Sequence, residues 1–136
     1  MVTMTGVYEG EKHCSLIHGP SQNKISTDAP KDNNGRGEAF SPTDLVGAAL
    51  GSCIVTTMAI YAEKNGIDIK GSTFQVSKKM KLMPRQIDEL AVEINLPQKL
   101  NADERKILEE IGLNCPVTRS LNPEVKVPVT FIYKLL

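Results

Sequence analysis

The side chains of this 136-residue chain best suited to chemistry are three cysteines, Cys14, Cys53 and Cys115. Their odd number and wide spacing do not match the disulfide framework of an extracellular domain and indicate reduced thiols in a cytoplasmic setting. The two histidines and Cys14 lack the paired spacing of metal ligands, so no metal site is predicted. Cys14 alternates with Leu16 in a short strand pattern and is expected to be a core residue.

Cys53 lies in a segment from Leu45 to Ala62 that carries no charged residue. One interpretation is structural, because a free cysteine often fills a core as a small apolar side chain. The other is a reactive thiol. Cys53 lies about 18 Å beyond the expected helix start, where the helix dipole has faded, so a reactive thiolate needs a cation or donor from elsewhere.

Cys115 directly precedes Pro116 and therefore occupies the N-cap position of any helix that starts there. Backbone N–H groups at such a position would stabilise a thiolate. The alternative is a helix cap that happens to be a cysteine and has no redox role.

A long helix is predicted to carry Cys53. Ser41 is its expected N-cap, Pro42 fits the first helical position, and Asp44 completes a capping box. Lys64 and Gly66 mark the other end. About 22 residues at 1.5 Å each give a rod of roughly 33 Å.

Two environments suit an uncharged helix, a bilayer and a protein core. Leu45 to Ala62 is at the short end for a membrane span, is diluted by glycine, serine and threonine, and has no basic flank. Burial inside protein is the preferred interpretation, and one small domain can hardly cover such a rod. We therefore predict a homodimer in which small residues meet the symmetry mate: Gly47, Ala48, Ala49, Gly51 and Ser52.

The remaining patterns predict a single α+β domain over residues 1–136. Strand patterns, the first two of which are expected to form a hairpin, precede a polar loop, Asp28 to Phe40. Two more strands follow the long helix, and the first of them changes phase near Ser77 to Lys79, which indicates a bulge. Asn101 and Glu104 begin a second helix, and a last strand contains Pro128, which places it at an edge or a bulge. Sixteen basic residues balance sixteen acidic ones, so neither nucleic acid nor an anionic membrane is an expected partner. The start of the chain lacks the pattern of a secretory signal.

Two motifs together resemble the OsmC/Ohr family of osmotically induced and organic-hydroperoxide-resistance proteins. They are FSPTDLVGAALGSC, Phe40 to Cys53, and NCPVTRSL, Asn114 to Leu121. The resemblance extends over nearly the whole chain in the order of its elements. It implies an α+β fold of intertwined homodimers, with long central helices wrapped by curved antiparallel sheets.

The resemblance also implies a cofactor-free thiol peroxidase of the oxidative stress response. Cys53 would attack an organic hydroperoxide and become a sulfenic acid, and Cys115 would resolve it to a disulfide that a small or protein dithiol then reduces. The apolar surroundings of Cys53 suit an alkyl or lipid hydroperoxide.

Peroxidases of this family add an arginine that holds the thiolate and an acidic residue that holds the arginine. Arg36 is the candidate arginine, with Glu38 as a possible partner, because the family's acidic position near the helix start is Thr43 here. This departure motivates two alternatives, a non-catalytic binder of lipid-like ligands and a redox sensor.

Overall fold

The computed structural model describes all of residues 1–136. The chain divides into two compact units, Met1–Val46 and Gly47–Leu136. The elements in chain order are β1 (Met4–Gly10), β2 (His13–His18), β3 (Lys24–Asp28), a 3-10 turn (Lys31–Asn33), α1 (Pro42–Lys64), β4 (Thr73–Lys81), β5 (Gln86–Pro97), α2 (Ala102–Leu113), α3 (Pro116–Ser120) and β6 (Val129–Lys134). The predicted α+β class is confirmed, and the single domain over residues 1–136 stays a prediction.

The first unit contains an antiparallel sheet in the order β1-β2-β3. Glu11 and Lys12 join the first two strands with φ of 50° and 60°, the left-handed pair that a two-residue hairpin loop needs. The predicted hairpin is therefore confirmed. The apolar side chains of β1 are exposed, with exposed fractions of 65% for Met4, 64% for Val7 and 65% for Tyr8.

Helix α1 begins and ends where the sequence predicts. The Ser41 N–H donates to Asp44 Oδ2 at 2.8 Å, and the Asp44 N–H donates to Ser41 Oγ at 3.1 Å. The two bonds form the expected capping box and satisfy N–H groups that lack helical partners. The helix ends at Lys64, and Gly66 follows with a φ of 67°.

The core of the second unit is built from α1, β5 and α2. Its largest fully buried apolar side chains are Leu50, Ile54, Met58, Leu90, Ile94, Leu96 and Leu108. Gly47 and Gly51 of α1 face this core: a Cβ on Gly47 would lie 3.4 Å from Val76 and from Leu90, and one on Gly51 would lie 2.5 Å from Phe74. The prediction that these two glycines meet a second copy is therefore wrong. They let α1 approach the sheet of its own chain.

The opposite face of α1 carries no charge over its central turns and is uncovered within the chain. Ala49, Ser52, Thr56 and Ile60 are exposed there. By length and hydropathy α1 could cross a membrane, with a mean hydropathy of 1.8. Its other face, however, packs into the core of the second unit, as expected of a core helix.

The second sheet has the order β4-β5-β6. The antiparallel β4–β5 ladder shifts register between Lys79 and Met80, where the sequence predicts a bulge. Strand β6 runs parallel to β5, whereas the family resemblance implies antiparallel sheets. Parallel neighbours need a long crossover, and α2 and α3 provide it. Pro128 lies just before this edge strand, as expected.

Helix α2 follows its predicted pattern as well. The Asn101 side chain accepts the Glu104 N–H, and the Glu104 carboxylate accepts the Asn101 N–H, each at 2.9 Å. Gly112 near its end approaches α1 so closely that a Cβ there would lie 3.0 Å from Met58 Sδ and 3.1 Å from Ile54 Cγ2. The glycine thereby brings the end of α2 against the middle of α1.

Candidate redox site

Cys115 is the N-cap of α3, as the sequence predicts. Its Sγ accepts the Thr118 N–H at 3.5 Å and lies 3.2 Å from Thr118 Oγ1. Pro116 follows at the first helical position, where a missing N–H costs no hydrogen bond. The Cys115 side chain has no exposed surface.

The segment between α2 and α3 directs Cys115 toward α1. Helix α2 ends at Leu113, and the Cys115 N–H donates to the Gly112 carbonyl at 3.3 Å. Gly112 packs so close to Ile54 of α1, the residue next to Cys53, that a Cβ on the glycine would lie 3.1 Å from it. The two cysteines are therefore held in one region.

Cys53 is half-buried on α1, and its Sγ lies 3.9 Å from Thr57 Oγ1, one turn further along the helix. Its side chain also lies close enough to Cys115 to contribute to lowering the pKa of that thiol. Both thiols are free. The structure thus brings together two sulfur atoms that are far apart in the sequence, one partly open to solvent and one fully enclosed.

The surroundings of Cys115 favour its thiolate. Burial is the largest single influence and raises the pKa of the Cys115 thiol. Hydrogen bonds from the Thr118 hydroxyl and N–H, from Cys53 and from the Val117 N–H together outweigh it, so the pKa lies below the ordinary value. A buried sulfur with this many donors is suited to act as a nucleophile or a leaving group.

Arg36 belongs to a charged cluster in the first unit. Its guanidinium lies 3.1 Å from Glu11 Oε2 and 3.8 Å from Asp28 Oδ1. Asp28 is 1% exposed and also bonds His13 Nδ1 at 2.6 Å and the Glu38 N–H at 3.0 Å. Glu38 therefore joins the cluster through its backbone, while Glu11 and Asp28 hold the arginine. The role of Arg36 toward Cys53 stays a prediction.

Cys14 lies in β2, paired with Tyr8 on one side and Thr27 on the other. Cys14 is half-buried, whereas the sequence predicts that it is an enclosed core residue. It belongs to the first unit and the other two cysteines to the second.

The sequence analysis did not identify Thr118 as a partner of Cys115 or Asp28 as a partner of Arg36. Thr118 stands three residues after Cys115, the position from which an N-cap side chain receives an N–H, so the capping rule could have identified it. Asp28 was placed in a polar loop, whereas it ends β3 and is buried. Its partner His13 lies directly across the β2–β3 ladder, a pairing that no local pattern reveals.

Fold and site define an α+β protein with a pair of adjacent free thiols on α1 and at the start of α3. The family model described as OsmC-like protein matches residues 35–130. A crystal structure from Psychrobacter arcticus, of a protein described by osmotic stress induction and detoxification response, is 42% identical over 96% of both chains, with a TM-score of 0.92. The chain belongs to the OsmC-like family.

Two more distant structures share the fold. An organic hydroperoxide resistance protein OsmC from Legionella pneumophila is 16% identical over 97% of this chain and 96% of its own, with a TM-score of 0.78. An organic hydroperoxide resistance protein from Elizabethkingia anophelis is 15% identical over 98% and 96%, also with a TM-score of 0.78. No curated protein matches the chain significantly.

Proposed function

We propose that this protein is a cysteine-based thiol peroxidase that reduces organic hydroperoxides in the cytoplasm without a cofactor. The observation that carries the proposal is the pairing of a half-buried Cys53 with a fully buried, hydrogen-bonded Cys115. Membership of the OsmC-like family supports it, as do the names of two structural neighbours as organic hydroperoxide resistance proteins.

In the proposed reaction, the Cys53 thiolate attacks one oxygen of the peroxide bond. The O–O bond breaks, the alkoxide takes a proton and leaves as an alcohol, and Cys53 becomes a sulfenic acid. Cys115 then forms a disulfide with Cys53, and an external dithiol returns both sulfurs to the thiol state while it is itself oxidised. Cys53 takes the first role because it is partly accessible, whereas Cys115 is enclosed.

Arg36 is proposed as the cation that favours the Cys53 thiolate. Its guanidinium is held by Glu11 and Asp28, so it has fixed partners in place of the family's acidic residue at the position of Thr43. Since guanidinium bonding depends on a planar fork, Arg36→Lys should restore little of the activity that Arg36→Ala removes.

The proposed unit is a homodimer. The uncharged outer face of α1 and the exposed apolar side chains of β1 have no cover within one chain. Large exposed apolar surfaces are typical of interaction sites, and a second copy in two-fold contact is the simplest cover.

Peroxide consumption with dithiothreitol as reductant tests the proposal. Cumene hydroperoxide should be consumed catalytically, faster than hydrogen peroxide, and Cys53→Ser should abolish the reaction. Without dithiothreitol, Cys115→Ser should reduce one equivalent of hydroperoxide and leave a sulfenic acid on Cys53 that a nucleophilic trap captures. Cys14→Ser is the matched control and should keep full activity. A Cys53→Ser protein that consumes peroxide as fast as the native one would refute the assignment.

An open, mainly apolar cavity favours a second candidate, the binding of a lipid-like ligand. Its volume is about 470 Å³, and it lies beside the C-terminal half of α1. Apolar side chains, among them Val55, Ala59 and Ile69, line it together with the charged residues Glu63, Asp68 and Lys70. This volume is within the range of ligand sites. Native mass spectrometry should then detect a bound fatty acid that Ala59→Arg excludes, and an unoccupied protein at saturating fatty acid would remove this candidate.

A further inference from the structure

Thr118 makes two separate contacts with the sulfur of Cys115. Its backbone N–H donates at 3.5 Å, and its hydroxyl oxygen lies at 3.2 Å. A hydroxyl both accepts and donates, so it can receive the S–H of a thiol and turn its own O–H toward a thiolate. The side chain therefore fits both protonation states of Cys115 without a change of place.

The burial of Cys115 makes these contacts important. The side chain has no exposed surface, so water cannot solvate the charge of its thiolate. An enclosed charge is costly unless hydrogen-bond donors surround it. Of the groups that donate to the Cys115 sulfur, the Thr118 hydroxyl belongs to a side chain with no other proposed role in the reaction. A substitution can remove it without changing the backbone or either cysteine.

We propose that Thr118 is a positioning residue for the resolving half of the reaction, holding the Cys115 thiolate through its hydroxyl. This inference rests on the proposed function. The Cys115 thiolate attacks the sulfur of the Cys53 sulfenic acid, an S–S bond forms, and the S–OH bond breaks. The departing hydroxide takes a proton and becomes water, so the sulfenic acid is consumed without a further oxidant.

The Thr118 hydroxyl also assists the reduction of the Cys53–Cys115 disulfide. The external dithiol attacks the half-exposed Cys53 sulfur, because the enclosed Cys115 sulfur is out of reach. Cys115 then leaves with the electron pair of the broken S–S bond, and a leaving thiolate departs faster when it is better stabilised. The second thiol of the reductant displaces Cys53, releasing an oxidised dithiol and a reduced protein.

A titration tests the first half of this inference and does not depend on peroxidase activity. In a Cys14→Ser/Cys53→Ser background, ultraviolet absorbance of the thiolate reports Cys115 alone. Thr118→Val keeps the shape of threonine and removes the hydroxyl, so the titration midpoint should move to higher pH. Thr118→Ser should stay close to the native midpoint. Thr130→Val, an exposed strand threonine, is the control for a threonine-to-valine change.

Single-turnover kinetics with all cysteines present test the second half. After one equivalent of cumene hydroperoxide, intact-mass spectrometry of alkylated, quenched samples separates the sulfenic acid from the disulfide. In Thr118→Val the sulfenic acid should form at the native rate and persist about tenfold longer at neutral pH, as loss of a hydrogen bond to a charged group implies. The difference should shrink at high pH, where Cys115 is ionised in both proteins.

The outcomes separate the two proposals. An unchanged midpoint together with unchanged resolution in Thr118→Val would overturn the role of Thr118, even with full peroxidase activity. If Cys53 never reacts with the hydroperoxide, the proposed function fails, and an upward shift of the Cys115 midpoint still supports the contact. Should Thr118→Val not fold, as judged by its thermal melt, Thr118→Ala takes its place in both measurements.

Discussion

Two glycines one turn apart on α1 should respond differently to the same substitution. Both gain helix propensity when replaced by alanine, about 1 kcal/mol each. At Gly47 the added Cβ would lie 3.4 Å from Val76 and from Leu90, which is ordinary packing distance. At Gly51 it would lie 2.5 Å from the Phe74 ring and 2.8 Å from a Val76 methyl group, so these side chains or the helix must move.

These distances set the expected magnitudes. Gly47→Ala should stabilise the protein by about 1 kcal/mol, because the propensity gain is not opposed. Overpacking costs about 1–3 kcal/mol, so Gly51→Ala should range from neutral to about 2 kcal/mol less stable. The Phe74 ring is 42% exposed and can swing partly away, which favours the lower end of that cost. The two variants should differ by about 1–3 kcal/mol.

Thermal unfolding followed by circular dichroism at one fixed protein concentration measures the difference. For a chain of this length 1 kcal/mol corresponds to about 4 °C in Tm, so the variants should differ by about 4–12 °C, with Gly47→Ala higher. Equal increases in Tm for both variants would show that Gly51 does not set the distance between α1 and β4. A double variant should give the sum of the single changes only if the two sites act separately.

Two further predictions concern charge and assembly. The hydrogen bond from His13, and to a smaller extent that from the Glu38 N–H, holds the pKa of Asp28 below its ordinary value. The charged form of Asp28 therefore stabilises the fold above about pH 4. This contribution to stability is lost as the pH falls through the lowered pKa. Asp28→Asn should therefore lower the urea midpoint at pH 7 by more than at about pH 2, and equal losses at both would contradict this coupling. Sedimentation should give a dimer mass for the native chain and a weakened dimer for Ile60→Glu, with Leu82→Glu in the exposed turn as control; a native monomer would end the dimer proposal.

Local chemistry made much of this fold predictable. The ends of α1 and α2 follow from capping residues that act within three positions of one another, and Cys115 is assigned to its cap by Pro116 alone. The bulge at Lys79 follows from a break in strand alternation. Each signal is local, and so is the interaction that it reports.

Features that depend on distant parts of the chain were not predictable. Small residues on α1 indicated close packing, but only the fold shows that Gly51 meets Phe74 of its own sheet. The partners of Arg36 come from β3 and from the loop between β1 and β2, so its nearest acidic neighbour in sequence was the wrong choice. The direction of β6 depends on how α2 and α3 cross over, which strand alternation does not encode.

The complete enclosure of Cys115 has a practical consequence for chemical labelling. A bulky electrophile cannot contact a sulfur with no exposed surface, so modification at Cys115 requires the α3 segment to open first. In the Cys14→Ser/Cys53→Ser background, the labelling rate of Cys115 would therefore measure how often this segment opens. The third cysteine thus gives the protein a built-in reporter of local unfolding.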